Sequence, residues 1–307
     1  MVKILSVIQI MQQRVNEEKN AFKKKAFLKV INQLSVEEYK DKSIKSLDDI
    51  KDITGIGASM KKTIQEIIEG KMVVDVEKEK KSRAIQEFMT IMSVGSVKAA
   101  SLVNDHNITS IKELKQNIDL LNNKQAIGLK YFEDFNMKIP RDEMKVHHAV
   151  IEKCLKDIDI KIQFDIVGSY RRGKEESGDI DVLITHPNGK NMLVEIVNSL
   201  KTQTYITDDF AFGKQKYMGA CKVCSIFRRL DILFIEPKQY PFAIMYFTGS
   251  KIFNIKMRKI ALDKGYSLSE HGFKKNVKDT VFVDLNISNE KDIFKFLSME
   301  YVDPLDR

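Results

Sequence analysis

The sequence predicts an α+β protein in which an all-helical N-terminal region precedes a mixed sheet and a small α/β C-terminal part. Three observations carry that class. Apolar residues keep helical spacing from Ile4 to about Phe135. Lys138-Ile139-Pro140-Arg141 then breaks the pattern, because the residue before a proline is driven out of the helical region. From Asp165 onward short β-branched or alternating runs take over, the signature of strands. At 307 residues the chain is about twice an ordinary domain, so more than one compact unit is expected.

Taken in order, Ile8, Met11 and Val15 continue the spacing begun at Ile4, and Phe22, Ala26 and Val30 resume it. Lys23, Lys24 and Lys25 load the polar side of this second helix, as a solvated face or as a phosphate-binding one. Lys78 to Lys81 lie in a mixed-charge run, EKEKK, either a hinge between two helical units or an exposed helix start, and a soft boundary is placed there. After the break a helix is expected across Asp142 to Lys156 and strands at Asp165-Ile166-Val167, Asp179 to Thr185 and Leu230 to Ile235. Turns fall at Gly168-Ser169, His186-Pro187-Asn188-Gly189 and Gly249-Ser250, and a last helical stretch lies near Glu290 to Met299.

Composition narrows the function classes. Hydrophobic residues at 43% and charged residues at 31% fit a globular chain, and no apolar run reaches the length of a membrane span. Met1 to Met11 is apolar like a signal core, but the QQRVNEEKN that follows offers no small-residue cleavage site, so secretion is not expected. Three cysteines cannot form a fully paired framework and fit a reducing compartment. Cys221 and Cys224 make one C-x-x-C without the second pair that zinc needs, and read as structural. The formal net charge of +8 makes a polyanionic partner plausible without choosing it.

The chemistry concentrates in the second half. In Asp179-Ile180-Asp181 a period of two sends both carboxylates to one face while Ile180 and Val182 enter the core, and paired carboxylates can hold hard divalent cations. Asp157-Ile158-Asp159 is the same triplet without context and reads as surface. The first triplet differs in what precedes it, Gly168-Ser169-Tyr170-Arg171-Arg172-Gly173 through Ser177-Gly178: glycines that bring backbone N–H groups onto a phosphate, a serine donor and arginines. Asp231, in Arg228-Arg229-Leu230-Asp231-Ile232-Leu233-Phe234, supplies a third carboxylate from another strand. Earlier, Thr54-Gly55-Ile56-Gly57 opens a helical run and resembles a helix-hairpin-helix turn whose amides take a DNA phosphate. Met92-Ser93-Val94-Gly95 precedes another helical run but carries one glycine. His147 and His148 are adjacent on a helix, cannot face one site and receive no role.

The strings GSYRRGKEESGDIDVLITHP (168–187), RRLDI (228–232) and YFTGSKIFNIKMR (246–258) resemble DNA polymerase β and its family X relatives. The resemblance extends through QAIGLKYFEDF (125–135), IPRDEM (139–144) and EKDIF (290–294), so it covers nearly the whole chain in order. It implies a helical, lyase-like domain with the first hairpin (1–78), a DNA-binding subdomain with the second (79–137), a nucleotidyltransferase-type catalytic palm (138–236) and a nucleotide-selecting C-terminal subdomain (237–307). It implies two Mg²⁺ ions, with Mn²⁺ as a substitute, on Asp179, Asp181 and Asp231, and a dNTP triphosphate on Ser169, Arg172 and the Gly178 backbone. Lys138 stands where the family has an arginine, keeping the charge and losing the fork.

By the same resemblance Tyr246, Phe247 and Gly249 lie under the incoming sugar, and Asn254 and Arg258 touch the nascent base pair. Gly55, Gly57, Gly95 and Lys216 would bind DNA, and a monovalent cation, Na⁺ or K⁺, would sit on the carbonyls of Lys51, Ile53 and Ile56 and of Thr90, Met92 and Val94. Three positions depart from the pattern: Lys251 replaces an aspartate, Ile255 a template-side lysine, and Leu233 an arginine that pairs with a metal-binding aspartate. The Schiff-base lysine of the family's 5′-deoxyribose phosphate lyase is Thr63, which cannot form an imine. Lys61 and Lys62 are the substitutes, although one residue along a helix turns a side chain by about 100 degrees.

The expectation is therefore a template-directed, gap-filling DNA polymerase of the β type in base excision repair, acting as a monomer on gapped or nicked duplex DNA and dNTPs, with no membrane partner. The rivals are a template-independent or RNA-tailing transferase of the same fold and a DNA-end binder without catalysis. The segment Phe273 to Leu285 and the stretch from Met218 to Arg228 read as shortened. An abundance of lysine and isoleucine fits an AT-rich genome, so the compartment is the nucleus of a cell or the cytoplasm if the source is a cytoplasmic DNA virus.

Overall fold

The computed structural model describes residues 1–307 except 19, 74, 276, 277, 279 and 280. Four residues of the segment Phe273 to Leu285 thus lie outside the described residues. The chain packs as two units, Met1–Leu120 and Leu121–Arg307.

In the first unit, the helices Ile4–Glu17, Ala21–Leu34 and Ala58–Ile68 bury one apolar stripe each, with Ile4, Val7, Met11, Val30, Leu34 and Ile64 fully inaccessible. The side chain of Asn20 starts the second helix by accepting the N–H groups of Phe22 and Lys23, and Asp75 caps the helix Val76–Phe88 through Lys78. The region is not all helical: Val2–Lys3 (β1) pairs antiparallel with Ser43–Ile44 (β2). Two residues per strand are too few to leave a period-two signal. The run Lys78 to Lys81 lies in the opening turns of the helix Val76–Phe88, the exposed helix start that the sequence offered there beside a hinge.

The second unit is built on a five-stranded sheet. Ile139–Pro140 (β3) pairs with Glu176–Ser177 (β5) in a small ribbon. The main sheet comprises Gln163–Ile166 (β4), Ile180–Thr185 (β6), Ile206–Phe212 (β7), Lys216–Cys221 (β8) and Arg228–Phe234 (β9), in the order β4-β6-β9-β8-β7. Only β6 and β9 run parallel; the other pairs are antiparallel. Alternation sends Ile180, Val182, Ile184, Leu230, Ile232 and Phe234 into a core shared with the helices Arg141–Ile158 and Leu193–Thr202. Each such side chain contributes roughly 1.5–3 kcal/mol by leaving water. The strands β7 and β8 escaped the sequence reading, because polar residues such as Asp208, Asp209 and Lys216 interrupt their apolar alternation.

Beyond the sheet, the helices Tyr240–Thr248, Lys251–Asp263 and Glu290–Phe296 and the hairpin Ser267–Ser269 (β10) with Gly272–Lys274 (β11) enclose a separate core of Phe242, Met245, Phe253, Met257, Phe273 and Phe294. Among the described residues no helix is long and apolar enough to cross a membrane.

Candidate active site

The parallel pairing of β6 with β9 sets Asp181 directly against Asp231, so the register that buries Ile180 beside Leu230 turns both carboxylates to the opposite face. Asp179 lies one residue ahead of β6, in the bend that feeds it, rather than within the strand as expected. Burial, with the negative charges of Asp179 and Asp231 next to it, pushes the Asp181 carboxyl up to about 7. The outer two carboxylates have partners: Lys216 Nζ lies 2.7 Å from Asp231 Oδ2, and Arg229 Nη2 donates to Asp179 Oδ2 at 2.8 Å.

These are hard oxygen donors with more negative charge than the buried member of the group tolerates, the donor set that suits a divalent cation. Among the described residues no three acidic, histidine or cysteine side chains already stand in ligand geometry, and Lys216 and Arg229 each draw one carboxylate to themselves.

The glycine-rich segment closes one side of this group. The turn expected at Gly168-Ser169 is a single helical turn, Gly168 to Arg171, with Gly168 at φ +62°. A Cβ there would sit 2.9 Å from Asp181 Oδ2, so glycine is required for conformation and for space. Ser169 Oγ donates to Ser177 Oγ at 3.0 Å, and Arg172 Nη1 donates to the carbonyl of Thr248 at 2.5 Å while its Nε is buried without a partner. Lys138 and Arg229 both reach the neighbourhood of Gly178.

A cleft of about 610 Å³ is lined by Gly168, Ser169, Arg172, Asp179, Asp181, Tyr246, Phe247, Gly249, Lys251, Asn254, Ile255 and Arg258. On its far wall Asn254 Nδ2 donates to the Tyr246 carbonyl at 2.7 Å, the Arg258 guanidinium stacks 5.0 Å from the Tyr246 ring centre, and Phe247 meets that ring edge-on. Asp231, Lys138 and Gly178 adjoin this cleft's residues without lining it. Leu233 is packed with Val167, Leu183, Ile235 and Ala243, so the position where the resemblance had an arginine is apolar, and Arg229 takes up Asp179 instead.

The first unit holds the hairpin turns and a cleft of its own. Gly55 sits at φ +91° and Gly57 caps the helix Ala58–Ile68. In the second turn Ser93 adopts φ +68° and Gly95 caps the helix Ser96–Asn104, so a serine takes the left-handed position that the first turn gives to glycine. The carbonyls of Lys51, Ile53, Ile56, Thr90, Met92 and Val94 accept no backbone hydrogen bond among the described residues. The cleft, about 620 Å³, is lined by Arg14, Glu18, Lys23, Phe27, Ser59, Lys62, Thr63 and Glu66. Lys62 lines it and Lys61 does not; the Thr63 hydroxyl donates to the Ser59 carbonyl at 3.2 Å.

Sequence reasoning assigned no role to Arg229, Glu290 or Arg14; it counted Arg171 among the phosphate-binding arginines, whereas Arg171 does not line the cleft, and it offered Lys23 as a phosphate-binding lysine, which lines the cleft around Thr63. Alternation along β9 was a usable signal for the first, since it puts Arg229 on the face of Asp231 and Arg228 on the buried face against Glu143. Glu290 had no local signal, because its partner Arg171 lies 119 residues away.

Comparison with known proteins agrees with this geometry. Residues 138–237 match the model of the DNA polymerase beta palm, 243–307 that of the DNA polymerase beta thumb, and 86–136 that of the fingers domain of DNA polymerase lambda. The chain is 29% identical over 322 aligned positions to DNA polymerase lambda of Rattus norvegicus, covering 99% of this chain and 56% of the relative. It is 31% identical to DNA polymerase lambda of Arabidopsis thaliana, covering 86% and 54%, and 24% identical to the human DNA-directed DNA/RNA polymerase mu, covering 86% and 61%. The chain thus spans little more than half the length of these relatives.

Proposed function

We propose, from the premise that the chain belongs to the family X DNA polymerases of the β and λ type, that it fills short gaps in duplex DNA in base excision repair. It would do so by template-directed transfer of a nucleotide from a dNTP to a primer 3′-hydroxyl. The observation that carries the reading is the pairing of Asp181 with Asp231 beside the Gly168–Arg172 turn, which puts a group of carboxylates at a cleft of about 610 Å³, roomy enough for a nucleotide.

Asp179, Asp181 and Asp231 would hold two Mg²⁺ ions, or Mn²⁺ in their place; bound there, such ions neutralise charge on the primer oxygen and on the departing pyrophosphate. Lys138, Ser169, Arg172 and the Gly178 amide bind and orient the triphosphate. Tyr246, Phe247 and Gly249 form the floor under the sugar, where a 2′-hydroxyl has no room, and Asn254 and Arg258 read the edge of the new base pair. Lys216 and Arg229 pair with Asp231 and Asp179 when no substrate is present, and give those carboxylates up to divalent charge while turning to DNA phosphate.

Gly55, Gly57 and Gly95 bring the hairpin amides to the DNA backbone, and the six unclaimed carbonyls support a Na⁺ or K⁺ ion at each turn. A monomer acting inside the cell, in the nucleus or at a viral cytoplasmic site, completes the proposal. Lyase chemistry would need Lys62 in place of the missing lysine at Thr63, because Lys62 is the lysine of the adjacent pair that lines the cleft.

The test is Mg²⁺-dependent filling of a one-nucleotide gap carrying a 5′-phosphate. Insertion of the templated nucleotide is expected; equal extension of the primer with the template strand omitted would replace this reading by template-independent transfer.

A further inference from the structure

Behind the phosphate-binding turn lies a buried ionic cluster that touches no cleft-lining carboxylate. Arg171 turns away from the cleft that its neighbour Arg172 lines. Its Nη2 donates to Glu290 Oε2 at 2.6 Å, and its Nη1 reaches both Glu290 Oε1 at 3.2 Å and Thr248 Oγ1 at 2.6 Å. Glu290 is 8% exposed, and its Oε1 also accepts Arg307 Nη1 at 2.7 Å. The Arg307 guanidinium is itself enclosed by aromatic rings, 5.1 Å from that of Phe253 and 5.3 Å from that of Phe294. Thr248 is fully buried, and its carbonyl is the acceptor that holds Arg172.

The connectivity runs Glu290 to Arg171 to Thr248 to Arg172, ending in the cleft. A guanidinium binds phosphate well only when its orientation is fixed before the ligand arrives. Arg172 has little else to fix it, since its Nε is buried without a partner. The same Thr248 leads into Gly249, whose Cβ position would come within 3.3 Å of Arg172 Nη1, so turn and guanidinium are adjusted to one another. Removing the Glu290 charge would leave two arginines facing each other in a buried space and release the fork that holds Thr248.

We infer that Glu290 is a positioning residue for the nucleotide triphosphate, acting through Arg171 and Thr248 on Arg172. The inference rests on the polymerase reading above. The experiment compares wild type with Glu290→Gln in single-nucleotide gap filling, and measures equilibrium binding of the correct dNTP to enzyme on a dideoxy-terminated primer. The KM for dNTP is expected to rise about five- to twentyfold, with a matching loss in dNTP binding and kcat changed no more than about twofold. The effect should vanish in an Arg172→Ala background, where there is no guanidinium left to position. Glu290→Asp, which keeps the charge and shortens the reach, should give the same split at smaller amplitude, and serves if the glutamine variant fails to fold.

Unchanged KM and dNTP binding in the folded variants would overturn the inference, as would an equal loss with and without Arg172. A wild type that fills no gap would instead sink the polymerase reading itself.

Discussion

Two clefts among the described residues are of nearly equal size, about 620 Å³ in the first unit and about 610 Å³ in the second, and they are built in opposite ways. The second is lined from short continuous stretches: the turn Gly168 to Arg172, Asp179 and Asp181 at the start of β6, and the run Tyr246 to Arg258. The first draws its charged groups from three helices, with Arg14, Lys23 and Lys62 far apart in sequence. In the first cleft the position where the resemblance has a lysine is Thr63; at or beside the second, all three aspartates of the resemblance are present. A site written along a strand and its turn keeps its residues because each also has a structural duty, as Gly168 does against Asp181. A site assembled from helix faces can lose one residue with the fold intact.

The comparison breaks most sharply at Asp231. Asp231→Ala should lower gap filling by more than about a thousandfold, since removing a metal-holding carboxylate takes away most of the charge stabilisation at the reacting centre. Binding to gapped DNA, measured by fluorescence anisotropy, should stay within severalfold of wild type. Synthesis that survives this change would remove the site from Asp181 and Asp231 altogether.

A second difference is in how the units respond to acid. His147 is fully buried in the second unit, with Nδ1 2.8 Å from the Tyr205 hydroxyl and Nε2 3.5 Å from Glu143 and without a hydrogen-bond partner. Burial pulls its pKa down from 6.5 to about 4, with the nearby Arg228 adding to the shift and Glu143 opposing it. At this residue the unfolded chain therefore binds more protons than the folded one between these values, so its contribution to stability falls as pH drops from 6.5 to 4. The loss approaches about 3 kcal/mol at the bottom of that window and about 2 kcal/mol by pH 5. The raised Asp181 carboxyl acts in the opposite sense over the same range, gaining stability as pH falls below 7. The His147 effect is therefore read in Asp181→Asn protein, where hydrogen exchange corrected for intrinsic rates should show β6 and β9 losing protection between pH 7 and pH 5. The helix Ala58–Ile68, in a unit without a buried histidine, should change little.

Next in size is an attempt to make the first cleft resemble the second in completeness. Thr63→Lys places an amine where the hydroxyl now bonds its own helix at Ser59. Borohydride trapping on a 5′-deoxyribose phosphate end should yield at least about ten times more covalent adduct than wild type. Equal trapping in the two proteins, mapped to Lys62, would mean that the cleft already carries its nucleophile.

How legible each region was follows from the same contrast. Asp179, Asp181, Asp231 and the Gly168–Gly178 loop could be read because strand alternation and glycine spacing are local signals, and the helix–break–strand order gave the α+β class. The strands β7 and β8 could not, since Asp208, Asp209 and Lys216 serve side-chain partners and interrupt the apolar pattern. Arg171 with Glu290, and Lys23 with Lys62, meet only in three dimensions, and neither member of each pair marks the other along the chain.

The smallest test concerns the two hairpin turns, where the first unit contains its own internal comparison. Gly55 and Ser93 occupy the same left-handed position ahead of a helix capped by glycine, at φ +91° and +68°. A side chain in that region costs roughly 1–2 kcal/mol, whereas glycine costs backbone entropy of about 0.5–1 kcal/mol in the unfolded chain. Gly55→Ala should therefore destabilise the unit by roughly 0.5–1 kcal/mol in urea unfolding, the left-handed strain less the chain entropy that glycine no longer loses, since the space around its Cβ position holds only the flexible end of Lys29. Ser93→Gly removes the strain and adds the entropy, so a gain near 0.5 kcal/mol is expected. A loss on Ser93→Gly would mean that the serine hydroxyl contributes more to the turn than its backbone conformation costs, and the second hairpin would then be a distinct device rather than a strained copy of the first.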